Sequence, residues 1–429
     1  MAGSPLMTPE RMTTSPTAVV CAAVEQLQAR FFEPLSAAEL FRDAWQGAAV
    51  ALARAGVSQV PLPPTYPAHP AAACALHADT FPALEHLATG RLPPDALTRA
   101  ALGELAARRR DGHTCLLTPR MLERWQWATD PSGDLGLVLS EGAHLTLADL
   151  RPGGAAQRAG LRRGERLLAI NGQPCAGLRR VEAQALLDYR VGATNEFDVQ
   201  DDDGRRATLA VRGDASPRIS ARILPGPFGL LRADGFAGTD EDTAAFGAAF
   251  ADFEAAGARG WIVDVRWCGG GVSIGLSRLL VARGRLFSRV RHNEARLPDG
   301  TIPIREDIDA DGSALRFQRP LVVLIGPGSV SGAESLAGPL QALGRATLVG
   351  ERTAGLCGTG PVCDIAPGWR MTITTRQTLF GPQQRAFNRI GAPPDVVVVP
   401  TRADEAAGRD PQLEAALTVL GGQDLPRWT

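Results

Sequence analysis

Not one of the 429 residues is a lysine, so all 45 side chains counted as Lys or Arg are arginines. That absence removes any ammonium side chain that could shed its proton and serve as a catalytic base, and any phosphate loop that needs a lysine. Tyrosine occurs only twice, while alanine, arginine, glycine and proline are plentiful, so Ala and Arg counts carry little structural information. No uninterrupted apolar run approaches the roughly 20 residues that span a bilayer. The N-terminal "MAGSPLMTPERMTTSPTAVVCAAVEQLQARFF" has no basic flank leading into a long apolar segment. No secretory signal is read there, which points to the cytoplasm. Net charge is −1 and the pI about 6.6. Nothing steers the chain toward nucleic acid or an anionic membrane, and Arg108–Arg110 reads as a solvated helix face. The seven cysteines are odd in number and none has zinc-ligand spacing. They read as free thiols, with Cys357 and Cys363 near enough in sequence to bridge as the alternative. No metal or organic cofactor is implied.

What is there suffices for two or three domains. Residues 1–14 are polar and read as disordered. From Pro16 to about Leu52 the apolar residues Val20, Ala23, Val24, Leu27 and Phe31, then Leu40, Phe41, Trp45 and Ala49, recur at helical spacing. Ser36 with Glu39 three residues on has the pattern of a capping box. A proline-rich connection at Val60–Ala72 precedes further helices at Ala83–Leu87 and Pro94–Arg110. From Gly133 to Arg212 short strands and turns alternate with one helix, "RRVEAQALLDYR". Beyond Ser220 strands and helices alternate as in an α/β domain, with a strand pair expected around "WRMTITTRQTLF" and a last helix at Asp410–Leu420.

The run "LRPGGAAQRAGLRRGERLLAINGQPCAG" reads as turn, short helix, tight turn, buried strand and hairpin. It resembles a PDZ domain over about 80 residues. That resemblance implies capture of an extended peptide C-terminus as an added strand, with its carboxylate on backbone amides around Leu135, Gly136 and Leu137. A PDZ-like module that only props its neighbour is the alternative.

Two further stretches bear on chemistry. "LVVLIGPGSVSGAESLAG" sends an apolar strand into a serine-bearing turn and a helix, and "GWIVDVRWCGGG" ends a second strand in a glycine turn. Ser331 would stand at the first turn of the helix, where unpaired amides can stabilise negative charge. Ser329 is a weaker candidate, and Ser335 falls inside the helix. "CGGG" lacks the Lys-Ser/Thr of a phosphate loop. Together with "NRIGAPPDVVVVPT" and "DGHTCLLTP", these stretches resemble the C-terminal processing peptidases, or tail-specific proteases, and their tricorn-core relatives. Nearly the whole chain follows that order. The resemblance implies a multi-domain α+β fold: a helical N-terminal domain over 15–128, a PDZ domain over 130–214 and a crotonase-like α/β serine peptidase domain over 215–429.

It also implies serine endopeptidase activity on polypeptides with free C-termini, through an acyl-enzyme and without a cofactor. Homo-oligomerisation is left open, and relatives of this family are often exported. Ser331 falls on the nucleophile and Gly332 with Gly270 or Gly271 on the oxyanion amides. The family's lysine position is Leu356 and its glutamine position Gly360, so a Ser–Lys site cannot operate. The tricorn-type branch uses a histidine before the peptidase core, which here is His113, with His292 the runner-up. The glutamate of that branch falls on Phe387 and its serine beside the histidine on Gly112. Asp111 is a substitute partner and Thr114 lies on the other side. Pro339 stands in the helix after the serine, where it removes one hydrogen bond. The rival reading is a catalytically inactive relative that binds peptide tails or apolar ligands.

Overall fold

The computed structural model describes residues 15–118, 121, 133–140, 144–281, 286–292, 304–309 and 317–421. The disorder expected for residues 1–14 and the side chain of His292 lie outside the described residues. The chain divides into two compact units. One comprises the chain to Thr118 with the returning segments Arg291–Arg305 and Gly358–Gln377, and the other contains the remainder.

In the first unit, five helices at Pro16–Arg30, Ala37–Arg54, Pro70–Thr80, Pro82–Ala88 and Ala96–Ala107 enclose one core. The apolar spacing read from the sequence is the buried face, with Val20, Ala23, Leu27, Phe31, Leu40, Phe41 and Trp45 all inside. Ser36 caps the second helix by accepting the Glu39 N–H. The proline-rich connection ends sooner than expected, because Pro70 opens a helix as its first residue, where a missing N–H costs nothing.

This third helix carries His77, fully buried, within hydrogen-bonding distance of the Tyr66 hydroxyl (2.9 Å) and packed at 4.5 Å from the Phe81 ring. Burial pulls the His77 imidazole down to about 3. An unfolded histidine takes a proton near pH 6.5. The unfolded chain therefore binds the extra proton first, and stability is lost as pH falls below that value. Between pH 6.5 and 5 this one group should remove roughly 1.5–2 kcal/mol. Denaturant midpoints across that window should fall steeply in the wild type and less steeply in His77→Phe; parallel slopes would contradict this.

The core of the first unit is closed by strands from far along the chain. Trp369–Thr372 lies between Cys115–Leu117 and Val362–Ala366, antiparallel to both. The strand pair expected within "WRMTITTRQTLF" does not form as a hairpin. The second strand, Arg376–Phe380, instead begins against Gly358–Thr359. Thr374 separates the two, because its N–H is taken by the Thr114 hydroxyl and its carbonyl by the Phe32 N–H.

Among the described residues of the second unit, two sheet systems bear on function. Its larger sheet has six strands in the order Ile219–Leu224, Phe228–Ala233, Trp261–Asp264, Leu321–Ile325, Thr347–Gly350 and Val396–Val397, the last five parallel. Alternate residues face two cores: Val263, Val323 and Leu348 meet the helices Asp240–Ala255 and Gly332–Ala342, while Ile262, Val322 and Val349 meet the C-terminal helix Pro411–Gly421. The smaller system is a four-stranded sheet of Gln173–Pro174, Arg166–Ile170, Thr194–Gln200 and Arg206–Arg212, with the pair Leu137–Leu139 and Leu147–Leu150. They share a core around Phe197, Leu147 and Ile170. The helix expected over "RRVEAQALLDYR" stops at Gln184. The buried Asn195 side chain takes the Asp188 N–H and donates to the Asp188 carbonyl, which holds the following residues in a turn.

Candidate active site

In an open parallel sheet, ligand sites form beyond the carboxyl ends of the strands. Here two neighbouring parallel strands, Trp261–Asp264 and Leu321–Ile325, end side by side, with Asp264 paired to Leu324. The first runs into the glycine turn and the second into the serine turn. Buried Arg266 fixes the start of the glycine turn. It forks onto Asp264 (3.0 and 2.7 Å) and onto Asp410 (2.8 and 2.8 Å), and stacks on Trp267. The two turns are laced together: the Ser329 hydroxyl donates to the Val265 carbonyl (2.8 Å), and the Val330 N–H donates to the Cys268 carbonyl (3.1 Å). Ser329 is fully buried in that task, so the weaker serine candidate is a structural residue of the turn.

Ser331 has φ 53° and ψ −105°. A non-glycine residue in this region is strained by roughly 1–3 kcal/mol, and such strain collects at functional sites. It is the N-cap of the helix Gly332–Ala342, yet its side chain makes no cap bond. The strain is held by Glu334, which accepts the Ser331 N–H (3.1 Å). Gly270 and Gly271, at φ 107° and 105°, pack directly against this turn. A Cβ on Gly270 would lie 2.9 Å from the Ser331 Cβ, and one on Gly332 would lie 2.2 Å from the Gly271 carbonyl oxygen. Glycine is required by both conformation and space at Gly270 and Gly271, and by space at Gly332. The structure thus brings Ser331, Gly332, Gly270 and Gly271 together. The Gly332 N–H, in the first helical turn, has no intrahelical acceptor. Cys268 offers no competing nucleophile, because burial pushes its thiol up to about 12. The helix runs through Pro339 to Ala342.

Glu334 is the residue that sequence reasoning passed over. Its carboxylate is wholly buried and receives four donors: the Ser331, Gly355 and Leu356 N–H groups and the Thr353 hydroxyl. It therefore ties the Ser331 backbone to the 353–356 loop, where the family's lysine position lies. Leu356 is half-buried there, with its N–H on Glu334. Gly360 cannot carry a side chain where it stands, since a Cβ would come within 1.7 Å of the Ile373 carbonyl oxygen. Phe387 stacks on Phe380 at 5.4 Å and fills the space over Gly338. These departures are built into the packing.

His113 belongs to the first unit, half-buried on the loop before Cys115–Leu117. Gly112 takes φ 67° to turn that loop. The buried Asp111 carboxylate accepts the His113 N–H (3.2 Å), the Thr114 N–H (2.8 Å) and the Thr114 hydroxyl (2.8 Å). Asp111 therefore shapes the backbone around His113. The His113 Nδ1 faces the Asp111 carbonyl oxygen at 3.4 Å. The His113 carbonyl is held by the Thr372 hydroxyl.

In the smaller sheet system, Gly136 at φ 67° turns the chain into Leu137–Leu139, which pairs with Leu147–Leu150 along one edge. The Gly136 N–H is occupied by the chain's own Asp134 carboxylate at 2.8 Å. Arg151 grips the same carboxylate and also Asp234 at 3.0 Å. The Leu135 carbonyl accepts the Ala156 N–H.

A strand–turn–helix serine beside a glycine turn, on a chain that also carries a peptide-type edge strand, is the architecture of a serine peptidase with a PDZ module. Residues 227–398 match the family described as Peptidase family S41, and residues 147–201 match the PDZ domain. The chain carries an S41-family serine peptidase domain and a PDZ domain. It is 29% identical over 359 residues to the chloroplastic C-terminal processing peptidase of Tetradesmus obliquus, covering 77% of this chain and 73% of that protein. It is also 29% identical to the carboxyl-terminal-processing protease of a Synechocystis species, covering 76% and 77%. The solved photosystem II D1 C-terminal processing protease shares the fold, with TM-score 0.61 and 23% identity over 96% of this chain and 98% of that one. Among the described residues no helix is long and apolar enough to cross a membrane.

Proposed function

We propose that this peptidase hydrolyses polypeptides with Ser331 as nucleophile and His113 as its base, and that its PDZ domain selects substrates by their free C-termini. The observation that carries the nucleophile assignment is the strained Ser331 backbone, held by Glu334 against Gly270, Gly271 and Gly332. Strain of this kind aims a side chain out of the helix axis while the first-turn amides point at the same space. His113 is favoured as base because the chain has no lysine and because it lies in the one histidine-bearing segment resembling that of the tricorn-type base. Backbone amides from Gly332 and from Gly270 or Gly271 supply the oxyanion contacts. A phosphonate probe that reacts only with activated serines separates this reading from that of an inactive tail-binding relative. The adduct should map to Ser331 and disappear in His113→Ala; an unlabelled wild-type protein would favour the inactive relative.

The self-occupied amide at Gly136 makes a second expectation. A peptide carboxylate docking at Leu135, Gly136 and Leu137 must displace Asp134, at the expense of one charge-assisted hydrogen bond and against a like charge. Asp134→Ala should therefore tighten binding of a peptide with a free apolar C-terminus by about tenfold, equivalent to ~1.4 kcal/mol. The same peptide amidated at its C-terminus should bind weakly to both proteins. Equal affinity for free and amidated forms would remove the tail-recognition reading.

A further inference from the structure

Two of the seven cysteines lie against each other in the first unit. Cys21 sits on the helix Pro16–Arg30 and Cys74 on the helix Pro70–Thr80. Their Sγ atoms are 2.6 Å apart, across 53 residues of sequence. That is well inside the van der Waals separation of two sulfur atoms, so the two side chains need only a small approach to form a bridge of roughly 2.05 Å. Both side chains are half-buried, whereas the other five cysteines are buried. All seven cysteines, Cys21 and Cys74 as well as the sequence neighbours Cys357 and Cys363, are free thiols in this structure.

We propose that Cys21 and Cys74 are a redox modification site that closes into a disulfide, stapling the first helix of the helical unit to the third. The oxidant is a small-molecule disulfide such as oxidised glutathione. One cysteine thiolate attacks a glutathione sulfur, forming a mixed disulfide and releasing one glutathione thiol. The second cysteine thiolate then attacks the mixed disulfide at the protein sulfur, forming the Cys21–Cys74 bond and releasing the second glutathione. Two electrons and two protons pass from the cysteines to the glutathione pair.

The position gives the bridge leverage. The helix bearing Cys74 also bears His77, which anchors the aromatic cluster with Tyr66, Phe41 and Phe81. The helix bearing Cys21 contributes Val19, Val20, Ala23, Val24 and Leu27 to the same core. A cross-link between them constrains the unfolded chain over a long loop, the case in which disulfides act most strongly. In the folded, reduced protein, burial first and then the neighbouring Cys74 hold the Cys21 thiol up at about 12. A thiol held protonated is a poor nucleophile, so Cys21 attacks slowly in the finished fold and more readily while the helices assemble.

The test is to refold the full chain in a buffer of oxidised and reduced glutathione, and separately under dithiothreitol, then block free thiols and map arginine-cleaved peptides without reduction. The glutathione arm should yield the Cys21 and Cys74 peptides joined and two hydrogens lighter than their sum. It should also melt about 10 °C higher than the reduced arm. The Cys21→Ser, Cys74→Ser double variant should fold and show no difference in melting temperature between the arms. Blocked thiols or glutathione adducts at both positions after oxidative refolding would overturn the proposal. So would an oxidant-dependent melting shift that survives in the double variant.

Discussion

Ser331→Ala should remain folded and lose hydrolysis of an unfolded polypeptide by about 10⁶-fold in kcat, and His113→Ala should lose nearly as much. The serine hydroxyl contributes nothing visible to the core: its side chain makes no cap bond, and Glu334 holds the backbone whatever side chain position 331 carries. An alanine also fits the same strained turn, so the melting temperature should change little. The expectation for His113 rests on chemistry, because a serine hydroxyl without a base is a poor nucleophile at neutral pH. A nucleophile and its base act as one device, so the double variant should be no slower than either single one. An imidazole base is silenced by protonation, so the acid limb of the wild-type pH profile should be absent from the residual activity of His113→Ala. Two results bear separately on the assignment. Full activity in Ser331→Ala would remove the nucleophile. Activity within tenfold of wild type in His113→Ala would keep the nucleophile and remove the base.

How much of this could be read from the chain depends on the range over which each feature is written. The serine turn, the glycine turn and the PDZ run are short motifs in which backbone conformation, turn residue and strand lie within about 30 positions. Gly270, Gly271 and Gly332 do converge on Ser331, since neighbouring parallel strands end together. Glu334 was invisible as a functional residue because its meaning lies in what it touches. At its own position it resembles any acidic residue in a first helical turn, and only folding delivers the 353–356 loop to its carboxylate. The fate of Trp369–Thr372 is similar. A strand pair is expected here from the sequence, but the partner of Trp369–Thr372, Cys115–Leu117, is more than two hundred residues away, and no local pattern distinguishes that partner from a hairpin neighbour. The Asp134 contact with Gly136 spans two residues, yet it was missed because an Asp in a turn has several local acceptor roles and sequence does not choose among them.

Glu334→Ala should destabilise the second unit by about 4 kcal/mol, and Glu334→Gln should fold but hydrolyse peptides far more slowly. Alanine leaves three backbone N–H groups, those of Ser331, Gly355 and Leu356, buried with no acceptor, at about 1–3 kcal/mol each when unrelieved, and adds a cavity. Glutamine keeps the volume but has one acceptor oxygen for four donors, and its NH₂ must face N–H groups. The turn can relieve that clash by releasing the weakest contact, the 3.1 Å bond to the Ser331 N–H. Releasing it frees the strained φ of 53°. On the proposed assignment the hydroxyl then leaves the oxyanion amides, so kcat should fall while peptide binding at the PDZ domain is unchanged. A purely structural role would instead lower stability with kcat intact. The pH dependence gives an independent readout. Burial raises the Glu334 carboxyl above the usual glutamate range, against the lowering effect of its hydrogen bonds. A raised folded value means that the native state holds the proton longer than the unfolded chain does. The stability this group contributes is full below the ordinary glutamate range and is lost as pH rises through the folded value. Glutamine cannot titrate, so its stability curve should lack that decline. Activity of Glu334→Gln equal to wild type, together with an unchanged pH slope, would show that Glu334 neither aims Ser331 nor titrates in the fold.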